Sequence, residues 1–485
     1  MTRNMTAGNP AKLILIFTFP LLIGNIFQQF YSMADTLIVG RTIGVNALAA
    51  VGCTGSISFL ILGFVSGLTS GFSILTAQRF GAGDADGVKK SFAAGILLSF
   101  AIALVLTLVS VICTRPMLQL LQTPPEILDD AEAYLRIIFI GIPASVLFNL
   151  LSSILRALGN SKMPLYFLIA ACLINIVLDF VFILNFHMGV AGAGWATILS
   201  QLLSGLFCLI YIGKKVPQLL LCRGDFRLRR DNAAAHLKLA LPMAFQMSII
   251  AIGSLILQFV LNGLGAVSVA AYTAAQKIDS IATMPMNSFG ATMATYAAQN
   301  YGAGKPDRIR RGVFQCILMS VGFALVMGMV NILWGSRLAA IFVGNGETQV
   351  LALAEDYLVI NGALYFVLAL LFIYRFTLQG LGRGVVPTVA GVMELIMRGV
   401  GAPVLTGILG FSGACASNPL AWIGACIPLA AAYYLTIRKI APRGNRAQND
   451  RDGEGLSNVR INLFSSVWLK KHLPLPGRAR QNPLR

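Results

Sequence analysis

The chain has 485 residues, of which 56% are hydrophobic and only 12% charged, and it carries a formal net charge of +18. Many of its apolar runs reach about 20 residues, enough to cross a hydrocarbon core about 30 Å thick, so a soluble globular fold is excluded. Their unbroken apolarity also excludes an outer-membrane barrel, whose strands are short and alternate, and selects helices that satisfy their own backbone hydrogen bonds.

The sequence predicts twelve spans, at 13–38, 46–75, 91–113, 133–155, 165–186, 190–212, 237–262, 267–297, 313–334, 352–379, 386–409 and 416–437. The first follows a short polar lead, is too long for a signal-peptide core and lacks a small-residue cleavage site, so it is read as a retained helix. It contains Pro20 and Asp35. Between spans two and three stands Ala77-Gln78-Arg79-Phe80-Gly81-Ala82-Gly83; without a following Gly-Lys-Ser/Thr it is no phosphate loop, and its glycines are expected to make tight turns. Asp129, Asp130 and Glu132 precede span four, where acids favour the helix dipole. Span five carries Asn175 and Asp179, and span six Thr197.

A Lys/Arg-rich stretch, 213–236, is read as a cytoplasmic linker. Beyond it, span seven contains Pro242, span eight Lys277 and Asp279, and span ten Arg375, which is expected to snorkel from its inner end. Span eleven carries Glu394 and Arg398, four apart and able to pair on one helical face. Pro20 and Pro242 each remove a backbone donor early in a span and are hinge candidates. After residue 440 the composition turns to Pro, Gly, Asn, Asp and Arg, and residues 441–485 are expected to be a disordered cytoplasmic tail, with a short interfacial helix at 461–471 as the alternative.

The heptapeptide at 77–83 returns as Ala298-Gln299-Asn300-Tyr301-Gly302-Ala303-Gly304, 221 residues later. Gly44 and Gly265 share that offset, while Tyr134 and Tyr357, Leu158-Gly159 and Leu381-Gly382, and Pro164 and Pro387 are related by 223. The chain is therefore a duplication: an all-α polytopic membrane protein with a six-helix lobe at 1–212, the linker at 213–236 and a second six-helix lobe at 237–440. Internal repeats with a path between them are a recurring plan for secondary transporters.

Sorting the basic residues by side turns the net charge into a topology signal. With the N-terminus inside, the inner loops and tails hold nearly all Lys and Arg, and the outer loops hold Arg41, Arg115 and Arg337 and little else. Both termini are thus expected on the cytoplasmic side, and no nucleic-acid partner is expected because no basic groove interleaved with aromatics is present. The eight cysteines are scattered without metal-ligand or redox spacing, so no metal is expected.

A carboxylate in mid-membrane costs about 3 kcal/mol on insertion scales, which marks Asp35, Asp179, Asp279 and Glu394 as functional candidates. Asp35 lies 22 residues past Leu13, roughly 33 Å along its helix and towards the outer end. Asp179 reaches similar depth on span five, Asn175 lies one turn below it, and Thr197 descends to the same level on span six. Such an all-oxygen cluster suits a proton or a hard monovalent cation. The bland reading is that each group only bonds a neighbouring helix. For Glu394, Arg398, Lys277 and Asp279 the choice between cavity charges and structural pairs stays open.

With these residues in order, the chain resembles the multidrug and toxic compound extrusion (MATE) family. The resemblance is carried by Pro20, Met33-Ala34-Asp35-Thr36, Ala77-Gln78 with Gly81-Ala82-Gly83 and its echo, Arg156-Ala157-Leu158-Gly159-Asn160 with Pro164, and Asn175 with Asp179, and it runs from about residue 10 to 440. It implies two lobes around a cavity opening alternately inward and outward, no enzyme activity, no cofactor, and export of amphipathic, often cationic small molecules in exchange for protons or sodium. It places the cation site on Asp35, Asn175, Asp179 and Thr197. It implies a monomer in the bacterial cytoplasmic (inner) membrane. The sequence departs from the family in spans 237–262 and 352–379, which lack an acid that some members carry. A flippase for lipid-linked precursors, from the same superfamily, is the alternative.

Overall fold

Asn9 accepts hydrogen bonds from the backbone N–H groups of Ala11 and Lys12, and Pro10 fills the first turn; together they start helix α1, Pro10–Thr42. In the computed structural model, which describes residues 4–344 and 346–440, thirteen more helices follow. In the first half they are α2 (Val45–Gly81), α3 (Ala85–Leu120), α4 (Pro125–Ile140), α5 (Ile142–Ala157), α6 (Lys162–Phe180) and α7 (Gly189–Lys215). In the second half they are α8 (Arg230–Asn262), α9 (Ala266–Gly302), α10 (Pro306–Val343), α11 (Thr348–Gly362), α12 (Tyr365–Gly380), α13 (Val385–Leu409) and α14 (Phe411–Ile440).

Spans four and ten are each broken. Helices α4 and α5 meet at 47°, and α11 and α12 at 51°. Pro143 cannot donate to the preceding turn, which breaks the first pair next to Gly141. Gly141 itself has no room for a side chain, since a Cβ there would strike Ile198 on α7. Counting each bent pair as one, eleven spans among the described residues are long and apolar enough to cross a membrane. The twelfth helical stretch, α9, carries Lys277 and Asp279 and falls short on apolarity, not on length.

The duplication is visible in the backbone. Gly44 and Gly265 end the first connection of each half with φ of +130° and +92°, and Gly159 and Gly382 do the same after spans four and ten with +79° and +78°. These values favour glycine, which explains why the landmarks survive in both halves. The connection between the halves is less extended than the composition suggests. Helix α7 runs to Lys215, Val216 and Leu219 are buried against the first half, and α8 begins at Arg230. The tail at 441–485, with its interfacial alternative, lies outside the described residues.

Helix α2 lies along α8, and both α1 and α2 reach α9. Gly63, Gly67 and Gly71 form a stripe at four-residue spacing on α2; a Cβ at Gly67 would stand 2.8 Å from the Ala244 Cα, and one at Gly71 would collide with the backbone of Ala240. Small residues let the two backbones approach, as membrane helices require where burial of apolar surface gives no drive.

Candidate functional site

Three helices deliver the predicted N-terminal cluster to one place. Asp35 on α1 is 7% exposed, and Asn175 and Asp179 on α6 are fully buried. The helical turn after Asp179 widens into a π-turn, Val181–Asn185, a local form that recurs at functional sites. Asp35 and Asp179 lie close enough to repel one another, and Tyr31 and Tyr134 stand within electrostatic reach of both. Tyr31 also faces Thr197 and Ser200 on α7, its hydroxyl 3.5 Å from the Ser200 hydroxyl. Sequence reading does not single out Tyr31 and marks Tyr134 only as a landmark of the repeat.

Asp35 Oδ1, Asn175 Oδ1 and Nδ2, both Asp179 carboxylate oxygens and Thr197 Oγ1 are all buried without a hydrogen-bond partner. Buried polar groups are paired in the great majority of cases, and an unpaired one costs about 1–3 kcal/mol. Five of these unpaired atoms are oxygens, contributed by three helices.

Tyr31 also belongs to the wall of a cavity of about 650 Å³ between the halves. Pro20, Asn25 and Gln28 come to this cavity from α1, Ser66 and Ser70 from α2, Gln246 from α8 and Gln379 from α12. Helix α5 presents Ser145, Asn149, Ser152, Ser153 and Arg156, a polar stripe along one face. Phe148, Phe372, Phe376 and Met247 supply apolar surface. Its size falls in the range of small-molecule sites. Tyr31 thus touches both the cavity and the carboxylate pocket.

The charges expected in the second half are placed differently. Glu394 pairs with Arg375 on α12, not with Arg398, its neighbour one turn along α13. Arg375 does not snorkel; it is 4% exposed and lines the cavity with Glu394 behind it. The helical turn brings Glu394 and Arg398 to one face, but α12 places a closer guanidinium between them and the cavity. Arg398 is buried beside Gly253 of α8 with its Nε unpaired. Asp279 accepts a 2.6 Å hydrogen bond from the Tyr365 hydroxyl, which in turn accepts from Asn331 at 2.9 Å. Lys277 is exposed. None of Glu394, Arg398, Lys277 and Asp279 lines the central cavity.

At the end of the bundle that holds the N-terminus, the repeated heptapeptides meet. Gln78 Nε2 donates to the Gly380 carbonyl at 2.8 Å, and Gln299 Nε2 donates to the Ala157 carbonyl at 2.8 Å. The donors are 221 apart and the acceptors 223 apart, the offsets of the repeat, so each half grips the other at the equivalent point. Gly81 abuts the Gln299 carbonyl and Gly302 the Gln78 carbonyl, leaving no space for a Cβ. These two glycines serve close approach, while the turn expected of the motif falls to Gly83 and Gly304 at φ +75° and +66°. The backbone N–H of Met5 donates to Gln299 Oε1 at 2.8 Å, and the Met5 carbonyl accepts from Arg308 and Asn300. Further along, the hydroxyls of Thr18 and Thr292 pair at 2.8 Å, and Asn25 donates to Ser288 at 2.9 Å. Among the described residues, every side-chain hydrogen bond between the halves falls between this end and the middle of the bundle.

Comparison with known proteins agrees with this architecture. The profile of the MatE family matches twice, at residues 20–181 and 242–404, one match in each half. The probable multidrug resistance protein YpnP of Bacillus subtilis is 31% identical over 361 residues, covering 73% of this chain and 79% of that protein. The FAD transporter of Shewanella oneidensis is 25% identical, with 80% and 86% covered. The fold matches a crystal structure of MATE in complex with MaL6 with a TM-score of 0.84 at 22% identity, covering 91% of this chain and 99% of that one. An outward-facing multidrug resistance MATE transporter matches with a TM-score of 0.84.

Proposed function

The chain belongs to the multidrug and toxic compound extrusion family, whose members are transporters and not enzymes, and from that premise we propose that it is a secondary antiporter exporting amphipathic small molecules in exchange for protons or sodium. The unpaired oxygens of Asp35, Asn175, Asp179 and Thr197 carry this reading. A cation entering the pocket removes the repulsion between the two carboxylates and satisfies atoms that are otherwise stranded. An inward cation releases ~2.3 kcal/mol per 100 mV of membrane potential. Tyr31, shared by pocket and cavity, links the loaded state to the walls that hold the cargo.

Pro20 lies on the cavity side of α1 and Pro242 within α8, each leaving one backbone carbonyl without its usual donor. We place the flexing of each lobe at these residues. The Pro242 carbonyl receives the Thr388 hydroxyl at 2.7 Å, so a bend in α8 is tied to α13. The assignment fits a bacterial cytoplasmic membrane, with the N-terminus and the 213–236 connection inside.

The test is gradient-driven uptake of a fluorescent substrate into inside-out vesicles, which corresponds to export from the cell. Asp35→Asn and Asp179→Asn are each expected to lower coupled export by at least tenfold while the protein still reaches the membrane. Coupled export unchanged in both variants defeats the assignment. Imposing a pH gradient and a sodium gradient separately identifies the ion.

A further inference from the structure

The cavity wall carries full charge at two residues, Arg156 and Arg375, and no carboxylate lines it. Glu394 neutralises Arg375 from behind. Arg156 has no carboxylate within ion-pairing distance among the described residues; its one side-chain partner is the Ser153 hydroxyl, at 2.9 Å. The lining residues therefore carry a net positive charge contributed by one guanidinium, while the carboxylates of Asp35 and Asp179 stand behind Tyr31. That guanidinium ends the polar stripe of α5, next to Ala157, whose carbonyl receives Gln299 from the other half.

On this wall an amphipathic cation meets like charge and, among the described residues, no carboxylate. We propose instead that the cargo is an organic oxyanion: an amphipathic molecule whose carboxylate or phosphate docks on Arg156, assisted by the hydroxyls of Ser152 and Ser153, with its apolar body against Phe148, Phe372 and Phe376. A guanidinium fork matches the paired oxygens of such groups, and hydroxyl donors complete the shell. The inference rests on the antiporter reading of the same cavity but reverses the sign of charge that the family resemblance implies. It also puts the bound anion one residue from the interlobe hydrogen bond at Ala157, so release of cargo and opening of that end act on the same turn of α5.

The experiment uses the purified full chain in liposomes and two dyes on one xanthene skeleton, anionic fluorescein and a cationic rhodamine methyl ester. Exchange of internal for external dye is measured with no ion gradient, so recognition is read apart from coupling. Fluorescein is expected to exchange at least tenfold faster than the rhodamine. Arg156→Gln is expected to lower fluorescein exchange at least tenfold through a raised KM, and Arg156→Lys to restore most of it. Preference for the rhodamine, exchange of neither dye, or an Arg156→Gln variant that exchanges fluorescein normally overturns the proposal. The wild-type preference needs no variant, so a misfolded Arg156→Gln protein leaves the test intact. Fluorescein exchange that is not converted to net transport by an imposed pH or sodium gradient keeps this inference and defeats the antiporter reading; gradient-driven transport of the rhodamine alone does the reverse.

Discussion

Arg375 and Glu394 stand buried together between α12 and α13, and each makes the other tolerable there. Removing one partner of a buried pair leaves an uncompensated charge, which typically costs 3–5 kcal/mol. Glu394→Gln is therefore expected to lower thermal stability in detergent by about that amount, and an unchanged melting temperature would contradict the pairing. Gly81 gives a second test at this scale. Its substitution by Ala forces a methyl group into the Gln299 carbonyl, and overpacking of this kind costs about 1–3 kcal/mol. The expected signature is faster labelling of cysteines placed at the N-terminal end of the cavity. Individual residues were unevenly legible. The depth of Asp35 and Asp179 followed from counting helical rise, because burial of a carboxylate is set by its place along one span. The partner of Glu394 did not follow, because Arg398 is the sequence neighbour while Arg375 arrives from another helix. Arg156 was read only as part of a motif; its position at the end of a Ser145, Asn149, Ser152, Ser153 stripe was the available signal.

At the scale of elements, long apolar runs announced their helices, and every predicted span has its helix or bent pair. The bend at Gly141 was signalled by the following Pro143, and the break at Ala363-Leu364 by the Asn361-Gly362 pair just before it, where Gly362 is also pressed against Gly328 of α10. The glycine stripe at 63, 67 and 71 announced close contact with another helix but not its identity as α8. Two predictions belong here. Pro20→Ala restores a backbone donor to α1 and is expected to slow transport severalfold while leaving equilibrium dye binding intact. Gln78→Ala removes one interlobe hydrogen bond of about 1 kcal/mol, and Gln299→Ala removes two, the one given to Ala157 and the one received from Met5. Because both contacts must break for that end to open, their free energies add, and the double variant is expected to speed opening by the product of the single effects, read as maleimide labelling rates; a larger effect than the product would show the two contacts to be coupled.

For the whole molecule, duplication was the legible feature, since it is written in linear order as the offsets of 221 and 223; sidedness is an expectation from the side on which Lys and Arg accumulate. The way the halves touch was not legible, because it depends on pairs such as Met5 with Gln299, 294 positions apart. Sidedness itself has a direct test in Cys222, which is exposed in the connection between the halves. In a variant keeping Cys222 as the sole cysteine, a membrane-impermeant maleimide is expected to react in inside-out vesicles and not in right-side-out ones. The opposite result would invert the orientation.

The glutamine pair has an evolutionary corollary. Both acceptors are main-chain carbonyls, of Ala157 and Gly380, so no substitution at those positions can delete them. After a gene fuses two copies of itself, side chains drift apart while peptide groups stay the same. A clasp in which only the donor is encoded needs half as many residues to be preserved, and it lets the two lobes diverge in cargo recognition and ion binding without losing their grip on each other.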